Sequence, residues 1–82
     1  MFTVYSRTYC HLCDELLAEL EAVLSAWHHP AVFAVDVVDV DSDEALDSRY
    51  GERVPVLEFQ GRELCHHRLD PEKVREVLNG LG

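Results

Sequence analysis

Two cysteines near the start of the chain carry the most pointed chemical signal. They lie in the stretch V-Y-S-R-T-Y-C-H-L-C-D-E-L, from Val4 to Leu16, with Cys10 and Cys13 three positions apart. A Cys-x-x-Cys pair supports either thiol–disulfide exchange or metal ligation. The choice depends on where the pair sits. A short apolar run, Phe2 to Tyr5, precedes it, and leucines at helical spacing follow it: Leu12, Leu16, Leu20 and Leu24. The pair therefore falls where a first strand hands over to a first helix. A helix N-terminus carries about half a positive charge from its unpaired N–H groups. A thiolate placed there is stabilised, so its pKa falls below the free value of about 8.5. Each unit of depression favours thiolate over thiol by about 1.4 kcal/mol. The second cysteine, one helical turn on, can then close a reversible disulfide with the first.

The elements that must position this pair are legible in order. Phe2 to Ser6 reads as a strand with Val4 inward, and Arg7, Thr8 and Tyr9 as the turn that delivers Cys10. The helix runs to about Trp27. Its apolar stripe is Leu12, Leu16, Leu20, Val23 or Leu24, and Trp27, with Glu15, Glu19 and Glu21 outside it. His28-His29-Pro30 stops it, because a proline disfavours helix at the residue before. Ala31 to Val40 is nearly unbroken apolar and predicts a strand covered on both faces, with Asp36 near an end or facing an opening. Ser42 is expected to cap a second, short helix, with Asp43 and Glu44 at its positive end and Gly51 as a left-handed terminator. Val54 to Phe59 predicts a third strand and Arg62 to Cys65 or His66 a fourth, joined by a tight Gln60-Gly61 hairpin. Pro55, at the head of the third strand, is either a sheet-edge proline or a cis-proline in a turn. Asp70-Pro71-Glu72 marks a last helix with Val74, Val77, Leu78 and Leu81 inward. The order β-α-β-α-β-β-α, with a right-handed crossover followed by a hairpin, predicts a small α/β sandwich with helices on both faces of the sheet.

Composition narrows the function classes. The 82 residues make one domain, spanning 1–82, with a modest core. A hydrophobic content of 48% argues against disorder. The net charge of −9 argues against non-specific nucleic-acid binding and against anionic membrane surfaces. Six acids between Asp36 and Asp47, with no base among them, read as a solvated loop and helix start. Asp39, Asp41 and Asp43 resemble a calcium loop only briefly. Counted from Asp39, the sixth position is Glu44 where glycine is needed, and the twelfth is Tyr50 where glutamate is needed. No signal peptide or membrane span is read in the chain, so a cytoplasmic location is expected. In that compartment three cysteines are not a structural disulfide framework.

A strand, a Cys-x-x-Cys at the following helix start and a Val-Pro opening the third strand resemble the thioredoxin fold, and the length resembles its glutaredoxin branch. Within that branch Y-C-H-L-C-D-E-L, V-P-V-L and the Gly-Arg hairpin resemble a small group of glutaredoxin-like proteins. The resemblance implies a thioredoxin-like three-layer α/β/α sandwich with a four-stranded mixed sheet. It also implies roles: Cys10 as nucleophile, Cys13 as resolving cysteine, Pro55 as the cis-proline packed against the disulfide, and Val54 as the residue whose backbone pairs with a bound thiol substrate. Arg7 stands where glutaredoxins usually carry a lysine that helps hold the thiolate and a glutathione carboxylate. The implied substrate-binding set is Arg7, Tyr9, His11, Val54 and Pro55. Two departures matter. Cys65-His66-His67-Arg68 replaces the Gly-Gly and the following Ser or Thr and Asp that grip glutathione, which argues for weak affinity. His11-Leu12 replaces Pro-Tyr inside the motif, so the redox potential does not carry over.

The leading reading is a thiol–disulfide oxidoreductase that reduces a disulfide-containing protein or a small thiol substrate, glutathione being weakly held, as a monomer and without a cofactor. His11 either favours the thiolate when protonated or is an ordinary exposed first-turn residue. Cys65 is a buried strand residue, a second resolving thiol or a ligand. A second reading makes the chain a binding module in which Cys10, Cys13, Cys65 and a histidine hold zinc, or the same cysteines an iron–sulfur cluster. A third keeps the fold without catalysis and uses the acidic stretch to recruit a basic partner.

Overall fold

The computed structural model describes residues 2–27 and 34–81. Strand β1 is Phe2–Ser6, helix α1 His11–Ala26, strand β2 Val35–Asp39, helix α2 Glu44–Tyr50, strand β3 Val56–Phe59, strand β4 Arg62–His66 and helix α3 Pro71–Leu81. A single 3-10 turn, Val40–Ser42, joins β2 to α2. The four strands form one mixed sheet in the order β2-β1-β3-β4. β1 pairs parallel with β2 and antiparallel with β3, and β3 pairs antiparallel with β4. The expected element order and the three-layer mixed sandwich are both present.

The layers follow from the two-residue period of the strands. Phe2 and Val4 of β1, Leu57 of β3 and Leu64 of β4 are buried in one cluster with Leu16 and Leu20 of α1 and Val74 and Leu78 of α3. The other face carries a smaller cluster of Val40, Tyr50 and Val56, with Tyr5, Leu46 and Val54 against it. Trp27, Val23 and Leu24 pack on the larger cluster, as the helical stripe implies. Gln60 and Gly61 both have positive φ, 51° and 83°, as a two-residue hairpin whose twist matches its strands requires. Asp70 caps α3 by accepting from the Glu72 and Lys73 N–H groups at 3.2 and 3.4 Å.

Four expectations are corrected. β2 is an edge strand, not one covered on both faces: Val37 is 50% exposed and Asp36 is exposed. The helices on the larger face gather over β1, β3 and β4, so an apolar run at the sheet margin stays partly in water. Ser42 does not cap α2. Its hydroxyl donates to the Asp39 carbonyl at 2.7 Å within the 3-10 turn, and Asp43 caps α2 by accepting from the Ala45 N–H at 2.8 Å. Gly51 is not left-handed, its φ being −53°. β3 is first paired at Val56, leaving Val54 and Pro55 ahead of the ladder. The helix stop at His28-His29-Pro30 and the first part of the apolar run, 31–33, lie outside the described residues.

Candidate active site

Cys10 is the N-cap of α1, with extended backbone at φ −95° and ψ 105°. Its Sγ accepts from the Cys13 N–H at 3.2 Å, and its carbonyl accepts from the Asp14 N–H at 3.2 Å. Sulfur thus takes the place that a Ser or Asp oxygen usually fills at a helix start. Cys10 and Cys13 form a disulfide, their Cα atoms 5.2 Å apart. The two sulfurs are not equivalent. Cys13 is 2% exposed and lies in the core, whereas Cys10 is half-buried at the helix end. Of the two residues, Cys10 is the one open to solvent.

The sheet brings two more segments to the same end. Tyr5 pairs with Val56 across β1 and β3, and Val56 pairs with His66 across β3 and β4. The exit of β1, the start of β3 and the exit of β4 are consequently neighbours. The loop from Arg7 to Cys10 leaves from there, and the Val54–Pro55 peptide bond, which is cis, arrives there. The cis alternative for Pro55 is the one the structure holds. The His67 N–H donates to the Pro55 carbonyl at 2.8 Å, tying β4's exit to the proline. His67 has φ 64°, a left-handed conformation that glycine adopts freely and histidine less often. Its imidazole Nε2 lies 3.1 Å from the Glu52 carbonyl. A cavity of about 190 Å³ separates the first turns of α1 from this loop, lined by Leu12, Glu15, Glu19, His67 and Arg68 among others. A larger concavity of about 440 Å³ lies at the hairpin end of β3 and β4, beside Gln60 and Arg62, and holds no thiol.

The remaining expected site residues are placed as follows. Tyr9, immediately before Cys10, is fully exposed and has φ 61°. His11 is exposed, with Nε2 3.2 Å from Glu15 Oε1. Val54 is half-buried ahead of the β3 ladder. Arg7 is turned toward the acidic stretch: Nε donates to both Asp41 oxygens at 3.1 and 3.2 Å, and Nη2 bonds to Asp47. Cys65 is a free, half-buried thiol packed against the larger core cluster. Burial pushes its thiol up, and the Asp70 backbone N–H acts in the opposite direction. Among the described residues no three His, Cys, Asp or Glu side chains converge as metal ligands. None of the described helices is long and apolar enough to cross a membrane.

Two features have no counterpart in the sequence reading. One is the set of partners that Arg7 finds. The other is a buried pair on the α2 side of the sheet, where the Tyr50 hydroxyl donates to Glu58 Oε2 at 2.9 Å. Tyr50 also stacks on Tyr5, ring centroids 3.9 Å apart. Ion pairs and hydrogen bonds between residues 8 to 44 positions apart leave no local spacing signal, so no motif could have revealed them.

A disulfide whose first cysteine caps a helix, at the end of the sheet where a cis-proline leads into β3, is the geometry that points to a family. The family profile described as Glutaredoxin-like domain (DUF836) matches residues 2–79. The chain belongs to the glutaredoxin-like domain family. This glutaredoxin-like domain is similar to protein XcR50 from X. campestris, 40% identical, with 98% of this chain and 97% of that one covered and a TM-score of 0.72. It is similar also to protein Ne2328 from Nitrosomonas europaea, 35% identical, covering 93% and 87% of the two chains, with a TM-score of 0.76. Glutaredoxin C1 from Populus tremula x tremuloides, in its holo form, shares the fold at 21% identity, with 96% and 74% covered and a TM-score of 0.52. No curated protein matches the chain.

Proposed function

We propose that the glutaredoxin-like domain is a thiol–disulfide oxidoreductase. The observation that carries this reading is the Cys10–Cys13 disulfide at the start of α1, with one sulfur reachable and the other buried. In the reduced domain the Cys13 N–H and the helix end favour a thiolate on Cys10. That thiolate attacks one sulfur of a substrate disulfide. A mixed disulfide forms, and the other substrate sulfur leaves as thiolate. Cys13, as thiolate, then attacks Cys10 Sγ, closing the intramolecular disulfide and releasing the second substrate sulfur. Two electrons pass from the domain to the substrate, and an external thiol or dithiol must return them.

Val54, ahead of the ladder next to cis-Pro55, offers backbone to an extended substrate segment, and exposed Tyr9 flanks the attacked sulfur. Arg7, whose guanidinium is engaged by two carboxylates, supports a substrate other than anionic glutathione. The substrate class that fits is a polypeptide disulfide, handled by a monomer in the cytoplasm, where thiols are kept reduced. The test is substrate trapping. Cys13→Ser is expected to accumulate a mixed disulfide with disulfide-bonded insulin, visible by intact mass, and Cys10→Ser to form none. Equal trapping by both variants, or by neither, removes the reading.

A further inference from the structure

We propose that Arg7 is a positioning residue that locks together the segments flanking the disulfide, its charge used inside the protein and not offered to a substrate. The guanidinium meets two pieces of chain, the 3-10 turn and the end of α2 with its C-cap. Nε bonds both oxygens of Asp41 in the 3-10 turn, Nη2 bonds Asp47 of α2, and Nη1 lies 3.5 Å from the Gly51 carbonyl just beyond α2. Arg7 itself stands three residues before Cys10, and Gly51 three residues before Val54. One side chain therefore connects the loop that delivers the nucleophile to the segment that delivers cis-Pro55.

Gly51 fits the same arrangement. Its φ of −53° suits any residue, so conformational freedom does not explain a glycine there. Space does. A Cβ at this position would run into Asp47 and come within 3.1 Å of Arg7 Nη2. The glycine leaves room for the guanidinium and its acceptor.

The arrangement also settles what Arg7 offers electrostatically. Its side chain is 36% exposed, so solvent screens the pairs, and one positive charge faces two carboxylates. The cluster presents no net positive charge to a thiolate or to a substrate carboxylate. What remains is geometry: a planar fork with several fixed donors, which a lysine ammonium cannot reproduce.

This inference rests on the oxidoreductase reading for its activity arm and not for its structural arm. The full chain is compared with Arg7→Lys, Arg7→Met, Gly51→Ala and the double variant Asp41→Asn with Asp47→Asn. Amide hydrogen exchange of residues 51–54 is expected to quicken about tenfold or more in all four. Turnover of disulfide-bonded insulin is expected to fall about tenfold in kcat/KM, since small displacements of a docking segment are costly. The pH midpoint of Cys10 alkylation by iodoacetamide, which needs only the thiolate, is expected to stay put. Wild-type turnover in Arg7→Lys would show that a point charge suffices and would overturn the proposal. So would a raised alkylation midpoint in Arg7→Met, or a gain with glutathione disulfide when the aspartates are neutralised and Arg7 is released. Should Arg7→Met not fold, the glycine and asparagine variants decide the matter. Should the wild-type domain reduce no disulfide at all, the oxidoreductase reading fails while hydrogen exchange still judges the clamp, and unchanged exchange sinks it.

Discussion

The face of the sheet beneath α1 and α3 and the face beneath α2 are held by different forces. The first is aliphatic and aromatic in its buried members: Phe2, Val4, Leu16, Leu20, Leu57, Leu64, Val74 and Leu78 meet there. The second mixes Val40 and Val56 with directional contacts, namely the Tyr50–Glu58 hydrogen bond, the Tyr5–Tyr50 stack, the Arg53–Glu63 pair and the Arg7 clamp. Apolar burial is non-directional and scales with area, so the first face supplies most of the stability. Hydrogen bonds and forked ion pairs contribute little net energy but fix position. The second face is also the one whose elements, the 3-10 turn and α2, lead to the cis-proline. The comparison teaches that stability and alignment of this site are separable.

The strongest way to break that separation is to remove a side chain from the larger cluster. Leu20 is fully buried midway along α1. Leu20→Ala is expected to cost about 2–5 kcal/mol, a large share of what a domain of this size holds. Urea denaturation at fixed redox state measures it. At temperatures where the variant remains folded, insulin turnover should be close to wild type, because the disulfide end keeps its contacts. A loss of turnover at full foldedness would merge the two roles that the comparison separates.

A smaller effect is expected from the Tyr50–Glu58 pair. Tyr50→Phe leaves a buried carboxylate oxygen without its hydroxyl donor, at a cost of about 1–3 kcal/mol. Burial, with Tyr5 and Glu58 adding to it, holds the Tyr50 phenol above its usual range. The folded state therefore binds that proton more tightly than the unfolded chain. Stability is fully present below the ordinary tyrosine value of about 10 and falls as pH rises beyond it, by up to about 1.4 kcal/mol per pH unit. Urea midpoints between pH 8 and 11 should show this alkaline decline in the wild type and a shallower one in Tyr50→Phe. A decline of equal slope in both proteins would assign it to other groups.

These two faces also differ in how legible they were. The first could be read almost residue by residue, because amphipathic period and strand alternation are local properties: Leu16, Leu20, Val74 and Leu78 are all inward as expected. The Cys10–Cys13 pair and its helix-start position were legible for the same reason, residue type and spacing being enough. From its neighbours alone Pro55 was a choice between edge and cis, and only the resemblance to the thioredoxin fold selected the cis form that the structure holds. The second face was not legible. The acids from Asp36 to Asp47 read as a solvated run, yet Asp41 and Asp47 hold an arginine 34 and 40 residues away. Gly51 read as a left-handed terminator because that is the commonest reason for a glycine after a helix, whereas here it answers to the bulk of Arg7 and Asp47. β2 read as doubly covered because apolar content reports a tendency to be buried and says nothing of which strand ends at the margin.

The smallest expected effect concerns the cap of α2, expected at Ser42 from the sequence and found one residue later, at Asp43. A helix of seven residues is too short to hold itself together in water. It has only Leu46 and Tyr50 to pack against the smaller cluster, so its first-turn N–H groups depend on their cap more than those of a long, well-buried helix. Asp43 accepts from the Ala45 N–H and also places a negative charge at the helix's positive end. Asp43→Ala should cost about 1 kcal/mol, and Asp43→Asn, which keeps the acceptor and drops the charge, a few tenths. Ser42→Ala removes a hydroxyl that serves the 3-10 turn and not the helix, so its cost should be about 0.5 kcal/mol or less. The order Asp43→Ala, then Ser42→Ala, measured by urea midpoints, follows from the cap geometry alone. The reverse order would put the start of α2 one residue earlier, and with it the register in which Asp47 and Gly51 meet Arg7.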